Sequence, residues 1–292
     1  MDTQFTTGAG LDAVKPRDRI VVGFDGSPNS AAAVDWAAGE AALRGWSVRI
    51  VTCSAVPAIV DFYGVGASQL RSLSEVVATI RERHPHLAVQ QTVTHLDPRD
   101  ALIDEAADAD LLVVGASDSG TTKARLLGSV PRTAARRSSC PVVVVRGEGR
   151  HPPRRIVVGV DSSSAAAAAV DWACDHADPH GAELVVVHAW EPPGDAGHSQ
   201  RARDLARADA QCLVDLAVSR CRERTACVVV GALIEGSAAE VLIDASRDAD
   251  LLAVGSRGRS GFKTMLFGSV ALFVAEHATC PVAISHPQIN RP

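Results

Sequence analysis

Short, nearly unbroken runs of aliphatic residues recur along the chain, separated by longer segments in which apolar positions fall at helical spacing. In the first half these runs predict strands at residues 20–24, 48–52, 89–94, 111–115 and 142–145, and in the second half at 156–160, 184–189, 227–232, 251–255 and 282–285. LLVVG and LVVVHA do not alternate apolar with polar, as a strand with one wet face would. Helices must therefore cover both faces, as in a parallel sheet. The order βαβαβαβαβ, written twice, predicts an α/β chain of two doubly wound, Rossmann-like domains, each a five-stranded parallel sheet. Ser27 before Pro28 reads as a helix N-cap followed by proline at the first helical position. Ser129 and Ser269 read as N-caps of the fourth helix in each half. In the motif AVDWA, found in both halves, Ala and Val form the sheet-facing stripe, Asp35 and Asp171 point outward, and Trp36 and Trp172 are packing residues.

The halves are copies. IVVGFDGSPNSAAAVDWA at 20–37 returns as IVVGVDSSSAAAAAVDWA at 156–173, an offset of 136 residues. DADLLVVGAS at 108–117 returns as DADLLAVGSR at 248–257, and SCPVVVV at 139–145 as TCPVAIS at 279–285, both offset by 140. A period this long means whole domains rather than a solenoid. The expected organisation is a loose tail at 1–17, a first domain at 18–146, a linker at 147–153 and a second domain at 154–292. PVVVV and PVAIS are apolar fifth strands left at sheet edges, and exposed edges invite pairing.

Composition narrows the class further. Apolar residues make up 47% of the 292 but aromatic residues only 4%, so the cores are built from Val, Leu, Ile and Ala. A net charge of −5 offers no broad footprint for nucleic acid. Arg146, Arg150, Arg154 and Arg155 flank the linker and read as a solvated connector. Seven cysteines without a CxxC pair suit reduced thiols, with Cys140 and Cys280, each before Pro-Val, as small buried residues. The N-terminal stretch has no signal-peptide pattern and no apolar run reaches membrane-spanning length, so the chain is expected to be soluble, cytoplasmic and free of membrane contact.

Candidate chemistry concentrates in GSRGRSGFKTMLFGSV, residues 255–270. An open α/β sheet binds ligands beyond the carboxyl ends of its strands, where the strand order reverses. If the first and fourth strands are neighbours there, Asp161 and this loop face one crevice. Glycines let backbone N–H groups approach phosphate oxygens, and a helix opening at Gly268-Ser269 adds a positive dipole end. The rival reading is that the glycines only shape a tight strand-to-helix connection. The position after the fourth strand and the second Gly-Ser pair favour an anion cradle made of Gly255, Ser256, Arg257, Gly258, Arg259, Ser260, Gly261, Gly268, Ser269 and Val270. GRSGFKT lacks the Walker A ending, and GVDSSS after the first strand is not a dinucleotide GxGxxG. In the first copy the loop GASDSGTTKARLLG carries Asp118 where the second has Gly258. No Ser/His/Asp set, repeated acid–base pair or metal-spaced cluster falls in the expected crevice. His176, Asp178 and His180 in DHADPH are set aside as a metal trio because they end a helix. HPH at 84–86 reads as a helix stop, and His188 in its strand as a satisfied core histidine.

Over residues 18–286 the chain resembles tandem members of the universal stress protein family. ATP-binding members of that family carry G-x2-G-x9-G-S/T, which Gly255, Gly258, Gly268 and Ser269 match in full. The resemblance implies that Gly159, Val160 and Asp161 meet the adenosine end and that Ala189 lines the adenine pocket. In the first copy the corresponding positions are Gly23, Phe24, Asp25, Cys53, Gly115, Gly128 and Ser129, with Gly120, Arg125 and Val130 completing the set. Arg125 can pair with Asp118 or reach a phosphate. The implied cofactor is ATP, with or without Mg²⁺. The implied role is a nucleotide-binding stress-response regulator or sensor whose occupancy alters packing or the binding of a protein partner. Rival readings are a slow ATPase or nucleotidyl transferase, and a nucleotide-free interaction module. The family likeness also implies that the fifth strands join the two copies about a pseudo-two-fold axis, with further association into a dimer.

Overall fold

The computed structural model describes residues 18–54, 65–116, 127–146, 151–192, 200–258 and 268–287. The N-terminal tail, Asp118, Gly120, Arg125, Arg259, Ser260 and Gly261 lie outside the described residues. The first repeat runs β1 (Arg19–Gly23), α1 (Pro28–Arg44), β2 (Ser47–Cys53), α2 (Val65–Arg83), β3 (Val89–Thr94), α3 (Pro98–Glu105), β4 (Leu111–Gly115), α4 (Ser129–Arg137) and β5 (Val142–Val145). The second repeats that order as β6 (Arg155–Gly159), α5 (Ser164–His180), β7 (Glu183–Trp190), α6 (Gln200–Arg224), β8 (Val229–Glu235), α7 (Ala238–Ala245), β9 (Leu251–Gly255), α8 (Ser269–His277) and β10 (Val282–Ser285).

The first helix of each repeat is bounded as its residues dictate. Ser27 Oγ accepts from Ser30 N at 3.2 Å and Pro28 supplies a fixed φ at the first position. Gly45, at φ 68°, closes α1 by donating to Ala41 O. Ser163 and Gly181 do the same for α5. The fourth helices differ from expectation. Their N-caps are Gly128 and Gly268, with no side-chain bond to the helix, and Ser129 and Ser269 are already the first helical residues. The glycines hold the extended conformation that a cap needs, so the serines enter the first turn.

All ten strands form one sheet in the order β3-β2-β1-β4-β5-β10-β9-β6-β7-β8. Pairing is parallel within each repeat, and β5 meets β10 antiparallel through Val142↔Ile284, Val143↔Ala283 and Val144↔Val282. A mirrored strand order about an antiparallel pair gives the repeats a local two-fold relation. The core is aliphatic on both faces. Ile20, Val22, Val143, Ile156, Val158 and Ala283 lie under α1, α2, α5 and α6, while Val21, Leu112, Val144, Leu252, Val274 and Ile284 belong to the opposite layer. No described helix is long and apolar enough to cross a membrane.

Candidate functional site

In each repeat the strand order reverses at the first strand. β1 pairs with β2 on one side and, through Ile20↔Leu111, with β4 on the other; β6 pairs with β7 and, through Ile156↔Leu251, with β9. The first and fourth strands are therefore neighbours, and a crevice opens beyond their carboxyl ends.

In the first repeat this crevice has a volume of about 470 Å³. Gly23, Phe24 and Asp25 leave β1 along one wall, Cys53 ends β2, Gly115 ends β4, and Gly128, Ser129 and Val130 bring in the start of α4. The sequence reading missed the first turn of α1. Asn29 is buried and donates from Nδ2 to Ala116 O at 2.7 Å, tying the helix start to the chain just after β4. A polar residue in the first turn of a helix next to a strand end was the available signal. Asp25 Oδ1 accepts from Ser27 N at 2.9 Å, and Asp25 N donates to Ser30 Oγ at 3.3 Å. Burial works against the charged carboxylate, but together the hydrogen bonds with Ser27 and Ser30 hold Asp25 below its ordinary range. It is a fixed anion and acceptor at the mouth of the crevice. Burial, aided by the Asp97 charge, raises the Cys53 thiol, which therefore stays protonated rather than serving as a nucleophile.

The second repeat places those of its predicted residues that are described equivalently. Gly159, Val160 and Asp161 leave β6, and Ala189 lies near the end of β7. His188 Nδ1 contacts Val160 O at 2.7 Å, so this histidine is satisfied, as expected, and it braces the chain where it leaves β6. Asp161 Oδ1 accepts from Ser163 N at 2.9 Å, and Ser163 Oγ donates to Arg257 O at 3.1 Å. The loop's entry and exit are pinned together. Gly268 N donates to Ser256 O at 2.8 Å, and a Cβ on Gly268 would stand 3.2 Å from Arg257 Cα. A Cβ on Gly258 would stand 2.9 Å from Asp161 Oδ2. Arg257 is exposed at this rim; burial and then its charge hold His286 below the ordinary imidazole range. Val270 follows Ser269 in the first turn of α8.

Two of the motif glycines have a different explanation from the one their position suggests. A Cβ on Gly115 would lie 2.6 Å from the Asn29 carbonyl carbon, and one on Gly255 would lie 2.5 Å from that of Ala165. Both contacts are with backbone, which cannot yield. The glycine that ends each fourth strand lets the first helix sit directly on it, and so sets the width of the crevice.

Chemically, each crevice joins two unlike ends. On one side a helix begins without a side-chain cap, leaving N–H groups and the positive dipole end available to an anion. On the other side stands a carboxylate, Asp25 or Asp161, suited to accept from hydroxyl or amino groups.

The profile of the universal stress protein family matches residues 16–146 and again 153–286. A universal stress protein of Mycobacterium tuberculosis strain CDC 1551 is 32% identical over 288 residues, covering 93% of this chain and 97% of the relative. One from Mycolicibacterium smegmatis is 32% identical over 285 residues, covering 92% and 97%. The crystal structure of a universal stress protein from Archaeoglobus fulgidus superposes with a TM-score of 0.68 at 18% identity, covering 92% of this chain and 98% of that one, which shows a shared fold. With two matched copies, this strand order and relatives aligned over nearly their whole length, the chain belongs to the universal stress protein family as a tandem member.

Proposed function

We propose that the chain is an adenine-nucleotide-binding regulator, holding ATP, with or without Mg²⁺, in the crevices at its two switch points. One observation carries the reading: the crevice of the first repeat is lined both by the uncapped start of α4 and by Asp25, and the second repeat sets Asp161 against Gly258, next to the uncapped start of α8. A ligand with a polyanionic end and a hydroxyl-bearing end fits that polarity. In the second repeat the fit is supported at Gly258 and Gly268, where a Cβ would fill space beside Asp161 and Arg257. Phosphates would lie over Gly268-Ser269, the ribose toward Asp161 and the base toward Val160 and Ala189. The first crevice offers the same arrangement through Gly128-Ser129, Asp25, Phe24 and Cys53.

The chain acts by binding, with at most slow hydrolysis. In the crevice of the first repeat Asp25 is held as a fixed carboxylate by Ser27 and Ser30 and the Cys53 thiol is kept protonated, a setting that supports binding. Occupancy would bias the Ser256–Gly258 and Gly268 contact and, through α8, the neighbouring surface that a partner reads. Because β5 and β10 are already paired with each other, association between chains would use other surfaces.

The test is to release any nucleotide from freshly purified protein by heat, identify it, and titrate the emptied chain with ATP by calorimetry. Adenine nucleotide in the extract, or micromolar saturable binding, is expected. Protein that carries no nucleotide and binds none would make the chain an interaction module. Turnover well above a heat-inactivated control would make it an enzyme.

A further inference from the structure

The helices that repeat one another, α1 and α5, do not carry the same residues where the two halves meet. At the 136-residue offset Glu40 corresponds to His176 and Arg44 to His180. The joint therefore sets a carboxylate and a guanidinium from one repeat against two imidazoles from the other. His151, just before β6, adds a third imidazole.

We infer that Glu40, His151 and His180 form a transition-metal site, of the two-imidazole and one-carboxylate kind that suits Zn²⁺, bridging the two repeats. Glu40 Oε2 lies 2.8 Å from His180 Nε2 and 3.4 Å from His151 Nε2, and the three donor atoms all fall within 4.8 Å of one another. Bonds of about 2.0–2.1 Å to a tetrahedral ion place donors roughly 3.4 Å apart, so small side-chain movements close the set. The other carboxylate oxygen has separate work. Oε1 accepts from Arg44 Nε and lies 3.3 Å from His176 Nδ1, while Arg44 Nη2 lies 2.9 Å from the same nitrogen. Arg44 thus orients the carboxylate as an outer-shell partner, leaving Oε2 to the two Nε2 atoms.

The seat is built for this arrangement. The Glu40 and His180 side chains are 0% exposed and that of His151 is 16% exposed, which leaves one side for ion entry and a water as fourth ligand. Gly39 makes room for the third ligand, since a Cβ there would stand 2.6 Å from His151 Nδ1. Trp36 and His151 meet in a T-shaped contact at a centroid distance of 5.7 Å. Both Nε2 atoms face the same carboxylate oxygen, and the 3.4 Å contact is long for a hydrogen bond. An ion among the three atoms would bind all of them at once. Two nitrogens and one oxygen exclude Mg²⁺ and Ca²⁺, which take oxygen shells, and suit Zn²⁺ or Co²⁺. The positive charge of Arg44 lowers the affinity below that of a site with two carboxylates.

The experiment uses the full chain, stripped with a chelator and titrated with Co²⁺ and with Zn²⁺. The expected results are one ion per chain, the visible bands of four-coordinate Co²⁺, their bleaching by Zn²⁺, and a melting temperature raised by Zn²⁺. His151→Ala should weaken binding at least about 100-fold, the upper end of what outer-shell losses cost. Gly39→Val, which keeps all three donors but displaces the His151 ring, should do the same while leaving ATP binding unchanged. Absence of stoichiometric binding to the wild type at tens of micromolar metal overturns the site, as do Co²⁺ bands that persist in a folded His151→Ala chain.

Discussion

At Gly258 the missing side chain matters because Asp161 stands beside it. A Cβ there would come within 2.9 Å of Asp161 Oδ2, so any larger residue displaces the carboxylate that faces the ligand. Gly258→Val should weaken nucleotide binding at the second repeat by about tenfold or more, with the fold intact by circular dichroism. In the first repeat the same sequence position is Asp118, whose charge has the sign of Asp25 and of phosphate. Like charges about 5 Å apart in a protein crevice repel by up to roughly 3 kcal/mol, and by less than about 1 kcal/mol where water screens them. The middle of that range corresponds to about tenfold in affinity. Asp118→Gly should therefore strengthen ATP binding at one site by about tenfold in calorimetry, and a loss of affinity would place Asp118 inside the cradle instead. Much of this was legible from residue types alone: Asp25, Asp161, Gly128 and Gly268 stand where the repeat and the strand order put them. The task of Gly255 was not legible. Its close neighbour is the backbone of Ala165, 90 positions earlier in the chain, and a motif cannot show which way a missing side chain would have pointed.

Elements were read well where an apolar run coincides with a central strand and less well at the edges. The run CVVVGA suggested a strand from 227, yet β8 begins at Val229, and Val228 is 67% exposed. β8 is an edge strand paired only with β7, so one flank lacks the partner that would extend the ladder. Cys140 and Cys280, read as small buried residues before the fifth strands, are 6% exposed. Burial pushes the Cys140 thiol up to about 11, against a hydrogen bond with Ser138, and that of Cys280 up to about 12. An acid whose folded pKa is raised contributes stability that is fully present below its unfolded value and is lost as the pH climbs toward the folded one. Between pH 9 and 11 the chain should therefore lose stability, by up to about 1.4 kcal/mol per pH unit for each thiol. Cys140→Ser should flatten the alkaline limb of a melting-temperature profile. At pH 8 an alkylating reagent should modify exposed Cys212 well before either buried thiol, and rapid labelling of Cys140 in the native chain would contradict the assigned burial.

For the whole molecule, the question is whether the two repeats are separate bodies on a linker or one folding unit. The one edge strand that each repeat would otherwise expose at the seam is consumed in the β5–β10 pair, and all four residues of β5 are at most 1% exposed. The seam is bridged on both sheet faces. On the face of α4 and α8, Arg132 meets buried Glu276 at 3.0 Å, and Glu276 also accepts from Leu127 N. On the face of α1 and α5, Glu40 gathers Arg44, His151, His176 and His180, with His176 stacked 4.4 Å from Trp172 and 5.8 Å from Trp36. The repeats are thus coupled by backbone, by apolar burial and by a buried ionic cluster whose members come from both. The sequence announced the first two through PVVVV and PVAIS, but the third joins residues more than 100 positions apart, and Glu40 lay unnoticed on the alanine-rich stripe of α1. It follows that denaturant should unfold both repeats in one transition, with coincident tryptophan fluorescence and far-ultraviolet dichroism. Removing one member of a buried charge cluster leaves its partner unpaired and costs about 3–5 kcal/mol. Glu40→Ala, which strands Arg44, should therefore lower the midpoint for both probes together, although the substitution lies in the first repeat alone. Two separated transitions in the wild type, or a Glu40→Ala chain in which only half the dichroic signal moves, would show that the joint is a contact between independent domains.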